Sequence, residues 1–192
     1  MIDEKLFTKL QKDYESYDIG RRIIIKHSND ILKYSKQAIF ALHRNNIKDA
    51  KQKIDEAGKE LKYLEKKIKN EEGLKYEGSY LAALEEFVEA NLFYQFIKTG
   101  KVGEIKEFTI ATNSYLGGFC DLTGEIVRRA VYLATKRKYK EVAKCQKAIE
   151  EILAQLIQMN LAGYLRTKFD QAKNSLRKIE DIMYDLELKR KK

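Results

Sequence analysis

Four carboxylates stand at spacings suited to holding a divalent cation. Asp121 and Glu125 are four residues apart in a stretch, Ser114 to Lys136, that reads as a helix. Both therefore project from one face, one above the other. Glu86 and Glu89 are three apart in a second helical stretch and also share a face. The surroundings of Asp121 are apolar or small: Leu116, Gly117, Gly118, Phe119, Cys120, Leu122, Gly124 and Ile126. Acids on such a face are costly without a partner. Packed side by side, the two helices would set Glu86, Glu89, Asp121 and Glu125 around one cavity, as metal-binding bundles do with inward carboxylates. No histidine is near either pair in sequence, so the expected ligand set is all oxygen, favouring Mg2+ or Mn2+ over zinc or non-haem iron. A site of that kind can activate water and stabilise charge on a phosphate. The competing reading is of solvated acids bridged along their own helices, with Glu125 paired to Arg129 at i+4.

Other chemistry is sparse. His27 and His43 lie on the first long helical stretch, where a surface or packing role is the default. His43 and Arg44 end that helix beside a basic face and are candidate phosphate contacts. There is no glycine-rich phosphate loop, CxxC pair or nucleophile elbow, which removes the usual signatures of a nucleotide hydrolase, a thiolate zinc site and an α/β-hydrolase. Cys120 and Cys145 both fall on helical stretches and read as buried thiols of a reducing compartment. Tyrosines and phenylalanines recur mostly at core spacing and do not read as base-stacking platforms.

Charge points to the partner class. Lys and Arg total 38 against 29 Asp and Glu, a formal charge of +9 in 192 residues. Such a surplus favours a polyanion, nucleic acid before membrane. No apolar run approaches the ~18 residues of a membrane span, and the charged start lacks a signal-peptide apolar core. The expected location is the cytoplasm.

The elements that must position the acids are helices. Proline is absent, which suits long uninterrupted helices. The spacing predicts one helix over residues 3–44 with a kink near Gly20, a second from Asp49 to Asn70, and a glycine-containing turn over 70–79 with Ser79 as N-cap. Tyr80 to Lys98 is apolar on most sides and reads as a central buried helix. Residues 104–113 read as a connection with a short helical turn. Helices follow from Ser114, over Glu141 to Asn160, and over Leu161 to Lys189, leaving a frayed basic tail, Lys189 to Lys192. The three glycines near Asp121 each cost ~1 kcal/mol in a helix interior and imply close approach of a neighbour. No alternating strand pattern occurs. The expected fold is all-α, a bundle of about seven helices in a single domain over 1–192, with an N-terminal arm over 1–20.

The segments Ser28 to Arg44 (SNDILKYSKQAIFALHR), Leu84 to Gly100 (LEEFVEANLFYQFIKTG), Tyr115 to Val131 (YLGGFCDLTGEIVRRAV) and Asn174 to Lys189 (NSLRKIEDIMYDLELK) resemble the translin family. They are more similar to its translin-associated factor X branch, and the basic, proline-free composition suits an archaeal member. The resemblance implies an all-α bundle assembling into closed, shell-like octamers that bind RNA inside. In the factor X branch it implies metal-dependent endoribonuclease activity. Glu86 and Glu89 fall on the acids of the family's EYVEA-type segment, and Asp121 and Glu125 on those of its DLTGE segment. The resemblance thus makes these four the catalytic and metal-binding residues, with Mg2+ or Mn2+ as cofactor. Lys98, Arg128 and Arg129, close to the acids in sequence, join His43 and Arg44 as candidate RNA contacts. The alternative is a non-catalytic oligomer of the translin type that binds RNA or single-stranded DNA.

Overall fold

The computed structural model describes residues 2–69 and 72–190. All regular structure in them is helical. Helix α1, Glu4–His43, starts on Asp3, whose carboxylate accepts from the amides of Lys5 and Leu6 at 3.0 and 3.2 Å. Helix α1 is continuous through Gly20. Residues 2–17 are all exposed. Only from Ile24 does one face become core, through Ile24, Ser28, Ile31, Ser35, Ala38, Ile39 and Leu42. The first half of α1 is therefore an arm with its apolar side chains Leu6, Phe7, Leu10, Tyr14 and Tyr17 in solvent.

Asn45 adopts φ +60° and Asn46 caps α2, Ile47–Ile68, by accepting from the Asp49 amide at 3.2 Å. This short connection folds α2 back along α1. The expected turn after α2 contains a 3-10 helix, Glu72–Tyr76, while residues 70 and 71 lie outside the described residues. Helix α3, Gly78–Thr99, begins at Glu77 rather than Ser79, so the expected serine cap is wrong: Ser79 lies inside the helix and makes no cap bond. Helix α3 packs against α1, α2 and α4 and buries residues on most sides, as its sequence predicts. Gly100 at φ +72° closes it in the left-handed region that glycine tolerates.

Residues 101–111 form no helix. They are pinned instead by side chains. The Tyr115 hydroxyl accepts from the Ile105 amide at 2.7 Å and donates to the Gly103 carbonyl at 3.0 Å. Phe108 meets Phe87 edge-on and covers Gly58. Helix α4, Thr112–Thr135, ends at a turn where Arg137 has φ +58°. Helix α5, Tyr139–Leu156, and α6, Gly163–Arg190, complete the bundle, both packing on α4. Of the basic tail, residues 191 and 192 lie outside the described residues. Among the described residues, six α-helices and one 3-10 helix thus stand where about seven helices were expected.

Helices α3 and α4 approach closely at the α4 glycines. A Cβ on Gly118 would lie 2.6 Å from Val88 Cγ1 and 3.1 Å from the Glu85 carbonyl oxygen. Gly124, on the same helix, has nothing within 4 Å. Gly118→Ala should therefore destabilise the protein by about 1–3 kcal/mol through overpacking, whereas Gly124→Ala should stabilise it by up to ~1 kcal/mol. Urea unfolding of the two variants checks this; equal midpoints would contradict the packing account.

Candidate functional site

Helix α3 carries Glu85, Glu86 and Glu89, and α4 carries Asp121 and Glu125. Packing of these helices gathers the acids within electrostatic reach of one another: the charges of Asp121, Glu86 and Glu125 all act on Glu89. Glu85 and Glu89 are each only 8% exposed. Glu125 does not pair with Arg129. It meets the imidazole of His43, from the end of α1, in a close contact, and Arg128 Nη1 lies 3.6 Å away. Arg129 instead donates to Asn45 Oδ1 at 2.7 Å and lies over the Tyr132 ring. The expectation that no histidine stands near the acids therefore holds only along the chain. In space, the C-terminal end of α1 brings His43 to Glu125, with its ring against Phe93.

The acids share few cations. Lys168 Nζ, from α6, lies 2.5 Å from Asp121 Oδ2 and 2.5 Å from Glu85 Oε1. The Tyr164 hydroxyl, one turn earlier, donates to Glu85 Oε1 at 2.7 Å. Lys36 reaches Glu86 only at 4.0 Å. Glu89 makes no hydrogen bond or ion pair among the described residues.

The titrations follow from this arrangement. Burial pushes Glu89 up to about 9, and the neighbouring charges of Asp121, Glu86 and Glu125 add to the effect. Burial also raises Glu86; Lys36 opposes the shift, while Asp121 and Glu125 reinforce it. Asp121 is raised by burial despite the opposing hydrogen bond from Lys168, with Glu85 beside it adding repulsion. Burial works against the charge on Lys168, but its bonds to Asp121, Glu85 and Tyr164 outweigh that and raise its pKa. Cys120 is pushed up to about 12, mainly by burial, so the thiol next to Asp121 is not a nucleophile.

Glu86, Glu89 and Asp121 offer oxygen donors alone. That donor chemistry fits a hard divalent ion. Among the described residues, however, no three His, Cys, Asp or Glu side chains are disposed to hold one ion. Side-chain adjustment is needed before these acids act as one ligand set. Of the candidate phosphate contacts, His43 and Arg128 stand at the acids. Arg44 stacks on Phe40 at 4.1 Å, and Lys98 lies over Tyr94 at the far end of α3. Sequence reasoning missed Glu85, Lys168 and Tyr164. The one trace of Glu85 was Gly117, whose missing Cβ makes room for its carboxylate: a Cβ there would lie 2.0 Å from Glu85 Oε2.

Glu89 generates a pH dependence. An acid whose folded pKa is raised favours the folded state while protonated, and that contribution is lost as pH rises from the ordinary carboxylate range towards the folded value of about 9. In EDTA, wild-type Tm should fall relative to Glu89→Gln as pH rises from 5 to 9. A gap of roughly 1 kcal/mol corresponds to about 2–4 °C at this chain length. Parallel Tm–pH curves for the two proteins would rule out a buried, strained Glu89.

Comparison with known proteins follows the same lines. The Translin family profile matches residues 20–190. The chain is 27% identical over 197 residues to the translin-associated protein X homolog of Schizosaccharomyces pombe, covering 91% of this chain and 82% of that protein. The fold superposes on the crystal structure of apo-NeC3PO with a TM-score of 0.84 at 24% identity, covering 96% of this chain and 97% of the other. It superposes on AfC3PO in complex with duplex RNA with a TM-score of 0.87 at 20% identity, covering 96% and 97%. With the profile spanning nearly the whole described helical bundle, this chain belongs to the translin family.

Proposed function

We propose that this protein is a metal-dependent endoribonuclease that cuts short RNA inside an oligomeric, octameric shell in the cytoplasm. The observation that carries the reading is the gathering of acids from α3 and α4, with Glu89 buried and within reach of the charges of Asp121, Glu86 and Glu125. A fold that keeps several buried carboxylates together has a use for a cation there. Glu86, Glu89 and Asp121 would hold Mg2+ or Mn2+, and Glu125, fixed by His43, would orient the group beside them. When bound, such an ion lowers the pKa of a water nucleophile and stabilises charge on a reacting phosphate. His43 keeps Glu125 in place through its contact, and Arg128 sets a positive charge at the same edge, where a phosphate would be held.

RNA as substrate is supported by the +9 charge, by membership of the translin family and by the similar fold crystallised with duplex RNA. Oligomerisation is supported by the apolar side chains Leu6, Phe7, Leu10, Tyr14 and Tyr17 that the α1 arm leaves in solvent. Among the described residues no helix is long and apolar enough to cross a membrane. A second reading, a non-catalytic oligomer binding RNA or single-stranded DNA, is favoured by Lys168 and His43, which already satisfy Asp121 and Glu125 without metal.

The two readings part at Asp121→Asn. The change is nearly isosteric and removes one anionic oxygen donor and one negative charge. Assembly and RNA binding should persist, with binding equal or tighter, while cleavage of labelled single-stranded RNA in Mg2+ or Mn2+ should drop by about 100-fold or more, as when a metal site loses a ligand. A variant that cuts at the wild-type rate removes Asp121 from the chemistry. A wild type that binds RNA but never cuts it, with either ion, establishes the non-catalytic reading. Binding itself should weaken steeply with salt, since Lys and Arg contacts release counterions; a flat affinity from 50 to 200 mM salt would contradict a phosphate-driven interaction.

A further inference from the structure

We propose that Lys168 is a positioning residue built into the acidic site: a resident cation, clasped by Glu85 and Tyr164, that fixes the Asp121 carboxylate and limits how tightly a divalent ion is held. The inference rests on the metal-site reading above and adds to it residues from a third helix.

The clasp spans three helices. Glu85 comes from α3, Asp121 from α4, and Tyr164 and Lys168 from α6. Lys168 Nζ stands 2.5 Å from one oxygen of each acid, and its side chain is only 16% exposed. Tyr164 is four residues earlier on α6, so the two side chains lie on the same face. Its hydroxyl donates to the same Glu85 oxygen, and its ring lies 5.3 Å from Lys168 Nζ. The Glu85 carboxylate occupies the space left by Gly117, which holds it against α4. Every part of this arrangement restricts Lys168, and through it Asp121. A long lysine loses much side-chain entropy when fixed this way, and the clasp holds its ammonium against Asp121.

The electrostatic consequence has a definite sign. The ammonium contributes one positive charge beside Asp121, so it opposes a second cation at that carboxylate. Glu85 does the reverse: it draws on the same ammonium and adds negative charge next to the site. Removing Lys168 should therefore tighten metal binding while freeing Asp121 to turn. Removing the Glu85 charge should weaken metal binding, because Lys168 is then shared with one acid fewer. Slower cutting combined with tighter metal binding distinguishes positioning from loss of fold.

The test titrates Mn2+ alone into the full-length protein by calorimetry, without RNA, for wild type, Lys168→Met, Lys168→Arg and Glu85→Gln. Expected are a tightening of about 10-fold or more for Lys168→Met, a value close to wild type for Lys168→Arg, and a weakening of several-fold, on the order of 5-fold, for Glu85→Gln. In parallel, the kcat for RNA cleavage should fall about 10-fold or more in Lys168→Met with little change in KM, and Lys168→Arg should recover part of it. Should Lys168→Met fail to fold, the isosteric Glu85→Gln carries the test alone. Unchanged or tighter Mn2+ binding in Glu85→Gln, or unchanged or weaker binding in a folded Lys168→Met, overturns the inference. If the Mn2+ shifts appear as stated but no protein cuts RNA, the inference stands and the nuclease reading fails. If wild type binds no Mn2+, both fall.

Discussion

The site depends on one constraint, the close approach of α3 and α4 where Gly117 and Gly118 meet Glu85 and Val88. At Gly117 the space of a missing Cβ is filled by a carboxylate, and at Gly118 by a valine side chain. The glycines weaken α4 as an isolated helix by ~1 kcal/mol each. The return is an interhelical distance short enough to bring carboxylates from two helices into one field. With bulkier residues there the helices would separate, each acid would meet water, and the burial that raises Glu89, Glu86 and Asp121 would be lost.

Around that contact the rest of the bundle supplies boundaries. Helix α1 delivers His43 to Glu125 from its last turn, and α6 delivers Lys168 to Asp121. Each of these side chains is held from a second side, His43 by the Phe93 ring and Lys168 by Glu85. The acids are consequently fixed by different helices, and Glu89 makes no hydrogen bond or ion pair among the described residues. Burial disfavours its charged form. That residue is where the structure concentrates the incentive to take up a proton or a cation.

What the sequence revealed and what it hid divide by distance along the chain. Helical periodicity located every α-helix, and the all-round apolarity of Tyr80 to Lys98 marked α3 as central, because both signals are local. The pairing of Glu86 with Glu89 and of Asp121 with Glu125 was visible for the same reason. Errors fell where side-chain detail decides: Ser79 is not the cap of α3, and Tyr115 orders residues 101–111 without a helical turn. The partners of the acids were invisible, since His43 and Glu125 are 82 residues apart and Lys168 and Asp121 are 47 apart. A local i+4 pairing of Glu125 with Arg129 was the natural guess from sequence, yet the bundle offered Glu125 a histidine and Arg129 an asparagine.

The charge distribution joins fold to function. The chain carries +9 overall, yet its most buried charged residues are the acids Glu85 and Glu89. The positive surplus therefore lies outside, on faces such as that of α2, where Lys51, Lys59, Lys62, Lys66 and Lys67 alternate with buried apolar residues. Long-range attraction for a polyanion and short-range repulsion at the acid cluster then act in sequence, because the first extends about a Debye length, ~8–10 Å, into solvent and the second is confined to contact distances. A phosphate backbone drawn to the lysine faces would meet acidic side chains on reaching the cluster of Glu85, Asp121 and Glu125. Lys168 and Arg128 stand beside these acids and offset part of their charge. Under the metal-dependent reading proposed above, carboxylates that hold an ion would repel a phosphate arriving without one, so cation and polyanion would bind together.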